Sequence, residues 1–289
     1  MGVDARLVVY APDKKTAEDA CAAAFERIAA LDSCMSDYRQ NSELMQLCAK
    51  PANKPITISK ELLKVLQVSE QLSKQSKGKF DITVGPLVRL WRAARKSGKM
   101  PSREEIEKAR KVVGWRLVKL DSNHSTATLK VPGMRLDLGA IGKGFADDEA
   151  QAVLKAHGIR SALVEMGGDI VVSDPPPGTD GWVVRVPNAG LNHKAIDMHL
   201  SNCAVSTSGD AEQFVVIGGK RFSHVVDPAT GYALTNGVEA TVIAKAGLIS
   251  DPLSTALTML SKRDQQKMLK SHPGTKAWVR LRMNFETED

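Results

Sequence analysis

The sequence has few aromatic residues and no long apolar run. Phe, Trp and Tyr make up 4% of its 289 residues, which leaves few stacking platforms for nucleic acid. No apolar run approaches the roughly 18 residues of a membrane-spanning helix, and no signal peptide is recognisable in the chain. The net charge of +7 can reflect nucleic acid, an anionic membrane or acidic ligands. We favour a solvated basic surface, whose densest cluster is Arg89, Arg92, Arg95, Lys96 and Lys99.

Several motifs of common catalytic sites are missing as well. The four cysteines form no C-x-x-C pair, so no zinc or redox motif is visible, and their number neither requires nor excludes a disulfide. No G-x-S-x-G elbow supports a serine nucleophile. The glycine-rich stretch at residues 137–146 has neither P-loop spacing nor the dinucleotide-binding fingerprint.

That glycine-rich stretch is nevertheless the most distinctive part of the chain. Its surroundings predict a strand at residues 134–138 and a helix at residues 147–157, joined by three glycines and Lys143. The free N–H groups and the dipole of a helix start favour an anion, so this turn can hold a phosphate. A tight strand-to-helix connection with a solvated lysine is an equally good interpretation.

The rest of the chain alternates clusters of strands with helices. Amphipathic spacing and caps predict helices at residues 16–31, 59–78, 102–113 and 248–260. Strands are predicted at residues 7–10, 115–120, 126–131, 161–172, 182–186, 195–200, 213–217, 238–244 and 278–282. Residues 34–47 are typical of a loop. This order favours a mixed α/β or α+β architecture, and the lack of repeats or linkers predicts one domain over residues 1–289.

Asp251 and Thr255 form the sharpest candidate pair. Four residues apart at the start of a predicted helix, they share one face. A carboxylate and a hydroxyl are oxygen ligands that suit Mg²⁺. Spacing alone favours a plainer alternative, in which Asp251 is an N-cap before Pro252 and Thr255 is an ordinary helix residue.

His224 is the most informative of the six histidines. It can orient or deprotonate a nucleophile, although a strand histidine satisfied by hydrogen bonds is the more common case. Residues 206–209 offer hydroxyls that can cradle an anion, or they form a turn rich in local side-chain bonds.

Taken together, these patterns resemble the ApbE family of flavin transferases. The matching blocks follow the family order through almost the whole chain. They are Met1-Gly2, Ser36-x-Tyr38, Ser42-Glu43-Leu44, Phe80-Asp81 with Val84-Gly85-Pro86-Leu87, residues 137–146, Gly167-Gly168-Asp169, residues 206–210, Ser223-His224 with Asp227-Pro228-x-Thr230-Gly231, and Asp251 with Ser254-Thr255-Ala256-Leu257.

The resemblance implies a single T-fold-like α/β domain of antiparallel sheets packed with helices. It implies an enzyme that uses Mg²⁺ to move the FMN half of FAD onto a Thr or Ser of a partner protein, releasing AMP. Family targets are typically subunits of membrane redox complexes, so we expect a periplasmic location or the outer face of the inner membrane. Members usually carry an export signal or lipid-attachment cysteine before the Met-Gly block, and we expect that such a leader has been removed here.

The resemblance also implies residue roles. Contacts with FAD are implied for Met1, Tyr38, Lys79, Phe80, Asp81, Asp137, Lys143 and the backbone of Val225. Metal ligation is implied for the backbone oxygen of Ala140 and for Asp251 and Thr255. Catalytic roles fall to Asp251 and to His224, which is expected beside the attacked phosphate. His224 or a carboxylate is the base that takes the proton of the acceptor hydroxyl.

Two residues depart from the family pattern inside these blocks. Ser254 stands where some members have Asp, which can leave the metal with one carboxylate fewer. Cys48 stands where members often have Asn, near the flavin loop. Some relatives hydrolyse FAD to FMN and AMP, so an FAD pyrophosphatase is an alternative activity, and a non-catalytic FAD-binding storage protein is another.

Overall fold

A computed structural model of the chain describes residues 2–210 and 213–281. The helices are α1 (Lys14–Met35), α2 (Glu43–Ala49), α3 (Lys60–Gln75), α4 (Gly85–Ser97), α5 (Arg103–Arg110), α6 (Gly142–Ala156), α7 (Gly247–Leu257) and α8 (Lys262–Lys270). The strands are β1 (Ala5–Tyr10), β2 (Ile56–Thr57), β3 (Val118–Asp121), β4 (Thr126–Leu129), β5 (Ser161–Met166), β6 (Asp169–Val172), β7 (Trp182–Val186), β8 (Ile196–Leu200), β9 (Cys203–Ser208), β10 (Phe214–Ile217), β11 (Lys220–Ser223), β12 (Val238–Ala244) and β13 (Lys276–Leu281).

A six-stranded antiparallel sheet forms the centre of the fold. Its strand order is β1-β5-β6-β9-β12-β13, and every neighbouring pair is antiparallel. Helix α6 packs on β5 and β6, while α7 packs on β9 and β12. Smaller sheets join β2, β4 and β3, pair β7 with β8, and pair β10 with β11. The predicted mixed α/β class of antiparallel sheets packed with helices is confirmed.

Small residues let the central helices approach closely. Helix α1 packs against α6, with Ala20 and Ala24 buried against Ala150 and Leu154. Helix α6 meets α7 where Gly144 faces Gly247. A Cβ atom at Gly144 would lie 2.2 Å from the Gly247 carbonyl oxygen. This contact requires glycine and fixes the starts of both helices side by side.

We therefore expect Gly144→Ala to destabilise the fold by about 3 kcal/mol, because the added methyl group overlaps backbone that cannot move aside. Gly142→Ala is the matched control in the same helical turn, since its Cβ would lie 3.9 Å from the nearest atom, an ordinary contact. Urea denaturation of the two variants measures the difference. Equal stabilities would show that the helix crossing does not depend on the absence of a side chain.

Local capping signals located several elements correctly. Ser59 caps α3 and accepts a hydrogen bond from the Leu62 N–H at 3.2 Å. Ser102 and Glu105 form the expected capping box of α5. The strands at residues 182–186 and 238–244 and the β3–β4 hairpin also follow the predictions, except that residues 115–117 form a 3-10 turn and β3 begins at Val118. The predicted strand at residues 161–172 is a hairpin of β5 and β6 around Gly167 and Gly168.

Other predictions were wrong. The expected loop at residues 34–47 contains the end of α1 and most of α2, which Ser42 caps by accepting from the Met45 N–H. Residues 134–138 belong to none of the described strands, and the Asp137 N–H donates to the Ile82 carbonyl. Helix α6 begins at Gly142, five residues earlier than predicted, because Phe145 and Ala146 are buried in the core.

The plainer alternatives for two candidate segments were wrong as well. Helix α7 begins at Gly247, so Asp251 lies inside the helix and is not its N-cap, and Pro252 is an interior proline. Residues 206–208 belong to β9 in the central sheet and do not form a turn. Within the described residues, no helix combines the length and apolar surface that a bilayer crossing requires.

Candidate active site

A cavity of about 670 Å³ opens where the glycine-rich turn, α7, β9 and the segment after β11 meet. This volume is typical of pockets that enclose a small molecule or cofactor. The cavity lining contains every described residue to which the sequence assigned a role. These residues are Tyr38, Lys79, Phe80, Asp81, Asp137, Ala140, Lys143, His224, Val225, Asp251 and Thr255. Met1 lies outside the described residues.

Asp137 holds the glycine-rich turn in shape. Its Oδ1 accepts a hydrogen bond from the Gly139 N–H at 2.8 Å, and its Oδ2 accepts one from Arg92 Nη2 at 2.9 Å. Burial, and then the neighbouring Asp37, raise the pKa of Asp137 above its usual value. Both carboxylate oxygens are thus engaged within the protein, and the turn presents its backbone to the cavity.

Lys143 is a partly buried, paired cation and not a solvated lysine. Its ammonium group forms an ion pair with Asp169 and lies 3.6 Å from Asp251 Oδ1. Burial alone would lower the pKa of Lys143, but the carboxylates of Asp251 and Asp169 raise it above its ordinary value. Lys143 therefore carries a fixed positive charge at the start of α6.

Asp251 and Thr255 share the cavity-facing side of α7, as their spacing predicted. Asp251 Oδ2 accepts a hydrogen bond from the Gly144 N–H at 3.0 Å. The Thr255 hydroxyl lies 2.8 Å from the Ser208 hydroxyl on β9. Glycine contact between α6 and α7 thus brings a carboxylate, a hydroxyl and a lysine into one corner.

The two departures from the family pattern lie behind the cavity wall. Ser254 is fully buried, and its hydroxyl donates to the Asp251 carbonyl at 2.7 Å and contacts the Ser208 hydroxyl at 2.7 Å. Cys48 is half-buried, and its Sγ accepts a hydrogen bond from the Leu136 N–H at 3.3 Å. Both side chains support residues of the wall from outside.

The donor atoms in this corner fit a hard cation. Three buried carboxylates, those of Asp147, Asp169 and Asp251, surround the single ammonium group of Lys143. Burial, and then Asp251, raise the pKa of Asp169 to about 7. Within the described part of the chain, no three His, Cys, Asp or Glu side chains are grouped to hold a metal. One carboxylate with a hydroxyl and a carbonyl suits Mg²⁺, which shares its coordination with phosphates and water.

Asp147 has no hydrogen bond to offset its burial, although the charge of Lys143 acts against part of the effect. Both of its carboxylate oxygens are buried without a hydrogen-bond partner. Burial, and then Asp169, raise the pKa of Asp147 well above its usual value. The folded protein therefore keeps a proton that the unfolded chain releases above about pH 4, so this carboxyl lowers stability as pH rises toward the folded pKa.

We expect Asp147→Asn to raise the free energy of unfolding at pH 7 by about 1–3 kcal/mol, because it removes a poorly solvated acid. Thermal unfolding in EDTA between pH 4 and pH 8 measures the effect, and the gain should grow with pH. Asp148→Asn is the control and should lower the free energy of unfolding, since Asp148 accepts hydrogen bonds from the Gly247 and Leu248 N–H groups. A loss of stability in Asp147→Asn that equals the loss in Asp148→Asn would contradict this account.

His224 follows β11 and lines the cavity beside this corner. Its Nδ1 lies 3.3 Å from the Gln213 carbonyl oxygen. Because a carbonyl oxygen only accepts, Nδ1 carries the proton and Nε2 remains an acceptor. Burial lowers the pKa of His224 to about 4, and the charges of Arg95 and Lys143 add to this effect. At neutral pH the imidazole is therefore uncharged and able to take a proton.

The part of the cavity wall around Tyr38 combines the ring of this residue with polar contacts that support the neighbouring segment. The Tyr38 side chain is well exposed, and the Arg92 guanidinium lies 4.3 Å from the centre of its ring. Lys79 Nζ donates to Asp227 at 2.9 Å, and Phe80 is buried. Asp81 accepts hydrogen bonds from Thr83 and from the Trp115 N–H, which shape the start of the segment before α4.

The backbone of Val225 is already engaged within the protein. Its N–H donates to the Ser223 hydroxyl at 3.1 Å, and its carbonyl accepts from the Leu234 N–H at 2.8 Å. Val225 is also buried, yet it belongs to the cavity lining. Val225 therefore meets a molecule in the cavity through the part of its surface that lines the wall.

Sequence reasoning missed the arginines of α4. Arg92 and Arg95 belong to the cluster that we attributed to a solvated surface, but both are partly buried and line the cavity. Arg92 forms ion pairs with Asp37 and Asp137. The available signal was the spacing of the two arginines, three apart after Gly85-Pro86, which places them on one face of a helix.

Comparison with known proteins agrees with this geometry. The sequence profile of the ApbE family matches residues 1–279. The chain belongs to the ApbE family. It is 32% identical over 237 residues to the FAD:protein FMN transferase of Haemophilus influenzae, an alignment that covers 79% of this chain and 68% of the relative. The Treponema pallidum FAD:protein FMN transferase is 29% identical over 296 residues, with 96% and 81% covered.

Solved structures of ApbE proteins superpose on nearly the whole chain. The Pseudomonas stutzeri flavinyl transferase ApbE aligns with a TM-score of 0.82 at 27% identity, covering 98% of this chain and 92% of that one. The Thermotoga maritima ApbE protein aligns with a TM-score of 0.84 at 30% identity, covering 97% and 91%. The predicted ApbE membership, the fold class and the expectation of a transferase enzyme are confirmed.

Proposed function

We propose that this ApbE protein transfers FMN from FAD to a Thr or Ser hydroxyl of a partner protein, depends on Mg²⁺ and releases AMP. One observation carries the proposal. The Lys143–Asp251 corner, the neutral His224 and the Tyr38 ring line the same cavity of about 670 Å³. This arrangement offers a fixed positive charge for phosphates, a base and an aromatic surface for a flavin in one space.

The transfer breaks the phosphoanhydride bond of FAD and forms a phosphate ester between FMN and the acceptor. The acceptor oxygen attacks the phosphorus of the FMN half, and its bond to the oxygen that bridges to AMP breaks. The acceptor proton passes to Nε2 of His224, and AMP leaves with the bridging oxygen. His224 suits this step because its pKa of about 4 keeps it neutral at physiological pH.

The glycine-rich turn and Lys143 hold the pyrophosphate. At the start of α6 the Gly142 N–H donates to the Leu138 carbonyl and the Gly144 N–H donates to Asp251, so the ammonium group of Lys143 supplies most of the positive charge at this end. Mg²⁺, when bound through Asp251, Thr255 and the Ala140 carbonyl, would neutralise charge on the pyrophosphate. Asp137 and Asp169 keep the turn and Lys143 in place.

The flavin half is held by the Tyr38 side of the cavity. Arg92 covers one face of the Tyr38 ring, and the ring is otherwise well exposed. In this proposal, contacts with FAD also come from Met1, Lys79, Phe80, Asp81 and the backbone of Val225. Asp81 and Val225 contribute by shaping the cavity wall, because their hydrogen bonds are made within the protein.

The acceptor in this proposal is a subunit of a membrane redox complex. The enzyme would meet it in the periplasm or at the outer face of the inner membrane. Residues 1–289 would act as one flavin transferase domain. The resemblance of the motifs supports these three points.

An acceptor assay tests the proposed function. Purified protein is incubated with FAD, Mg²⁺ and a peptide or protein that carries a Thr in a flavinylation motif. Flavin fluorescence on the acceptor after denaturation would support transfer. Release of FMN and AMP without labelled acceptor would point to an FAD pyrophosphatase, and bound FAD that stays intact would point to storage. Either of these two results would contradict the proposed transfer.

A further inference from the structure

Arg95 is a charged group of the cavity wall to which the proposed reaction gives no task. Arg95 lies on α4, and its Nη1 atom is buried without a hydrogen-bond partner. It forms no ion pair within residues 2–210 and 213–281. An unpaired charge in such a place is costly to the folded protein, so its presence calls for a ligand.

The other Arg and Lys side chains of the described lining each have a carboxylate partner. These pairs are Arg6 with Glu165, Lys79 with Asp227, Arg92 with Asp37 and Asp137, Lys143 with Asp169 and Asp251, and Arg185 with Asp197. Arg95 has no carboxylate partner among the described residues. Its charge is therefore available to an anion that enters the cavity.

The neighbours of Arg95 indicate which part of a ligand it meets. Its charge acts on both Tyr38 and His224, which line the same cavity. Burial, and then the charge of Arg92, lower the pKa of Arg95, but a guanidinium stays protonated at neutral pH. Arg95 thus shares the cavity wall with the ring proposed to face the flavin and with the base proposed to face the attacked phosphate, and its charge reaches both.

We propose that Arg95 binds the phosphate of the FMN half of FAD. A guanidinium donates two parallel N–H bonds to phosphate oxygens, a geometry that a lysine ammonium does not reproduce. Lys143 and the glycine-rich turn hold the pyrophosphate from the α6 side, and Arg95 holds the FMN phosphate from the α4 side. This inference rests on the proposed function.

Flavins that differ in phosphate content separate this role from others. Dissociation constants of FAD, FMN and riboflavin are measured by flavin fluorescence with wild type, Arg95→Gln and Arg95→Lys. We expect Arg95→Gln to weaken FAD and FMN binding about 10- to 100-fold, the range for a hydrogen bond to a charged group. Riboflavin, which has no phosphate, should bind equally well, and Arg95→Lys should restore part of the loss.

Arg89→Gln is the matched control, because Arg89 is an exposed arginine on the same helix. It makes the same change of charge and should leave all three dissociation constants unchanged. Without flavin, Arg95→Gln should melt at the same temperature as wild type or higher, because a partly buried charge without an ion-pair partner among the described residues has been removed. The upward shift of melting temperature on adding FAD should be smaller in this variant.

Four results would overturn the assignment. Equal weakening of riboflavin, FMN and FAD with a lower melting temperature would make Arg95 a structural residue. Unchanged flavin binding with a raised KM for the acceptor would place Arg95 against an acidic group of the acceptor. Failure of wild type to bind FAD would overturn the proposed function as well, whereas tight FAD binding by Arg95→Gln would overturn the role of Arg95 alone.

Discussion

Asp251→Ala is expected to reduce metal-dependent FMN transfer by about 1,000-fold. Asp251 supplies the carboxylate of the proposed Mg²⁺ ligand set, and no nearby residue of α7 can replace it. Its Oδ2 also accepts the hydrogen bond from the Gly144 N–H, and its Oδ1 lies 3.6 Å from Lys143 Nζ. Transfer rates are measured over a Mg²⁺ titration, together with metal affinity.

Two control variants separate charge, hydrogen bonding and backbone position. Asp251→Asn keeps an oxygen acceptor for Gly144 but loses the charge, so it should be almost as impaired as Asp251→Ala. Ala140→Ser should keep most of the activity, because the proposed ligand at position 140 is the backbone carbonyl. Full activity in Asp251→Ala would remove the metal assignment, and equal loss in Ala140→Ser would point to a distorted turn.

His224→Ala is expected to slow transfer about 100- to 10,000-fold while FAD still binds. The reason is that a neutral imidazole whose Nδ1 faces the Gln213 carbonyl leaves Nε2 free to accept the proton of the acceptor hydroxyl. Single-turnover transfer and FAD affinity are measured separately. His157→Ala, which changes an exposed histidine near the end of α6, is the control and should behave like wild type.

The pH dependence gives a second readout of the same residue. The pKa of His224 is lowered to about 4, so the base is present above that pH and is lost as pH falls through it. His224 should therefore cause no loss of wild-type kcat/KM down to about pH 5, and any fall near pH 7 from protonation of Asp169, whose pKa is raised to about 7, should persist in His224→Ala. The residual activity of His224→Ala should lack the acid limb that protonation of His224 causes. Unchanged transfer rates in the variant would reduce His224 to a structural residue.

The elements that the sequence located correctly have local causes. Ser59 and the Ser102–Glu105 box satisfy helix N–H groups within three residues. A short stretch of sequence is therefore enough to predict where these helices begin. Helix α2 has a similar cap at Ser42 but spans seven residues, too few for a clear helical period. The sequence analysis did not predict helix α4, because charged residues alternate with the apolar residues of its buried face, which carries Leu87 and Trp91.

The residues that completed the site depend on distant partners. Arg92 is held by Asp37 and Asp137, which lie 55 and 45 positions away in the chain. The burial of Asp147 follows from the packing of α6 on the central sheet and α7. No local pattern reports either fact. The motif blocks located Asp251, Lys143 and His224, whereas the charge balance around them required the three-dimensional structure.

The ratio of products tests the central claim most directly. Wild-type protein, FAD and Mg²⁺ are incubated with a Thr acceptor and with its Thr→Val counterpart, and AMP, free FMN and acceptor-bound FMN are quantified together. The account predicts one AMP for each FMN bound to the Thr acceptor, little free FMN, and no labelling of the Val acceptor. AMP release matched by free FMN, at equal rates with either acceptor, would contradict it.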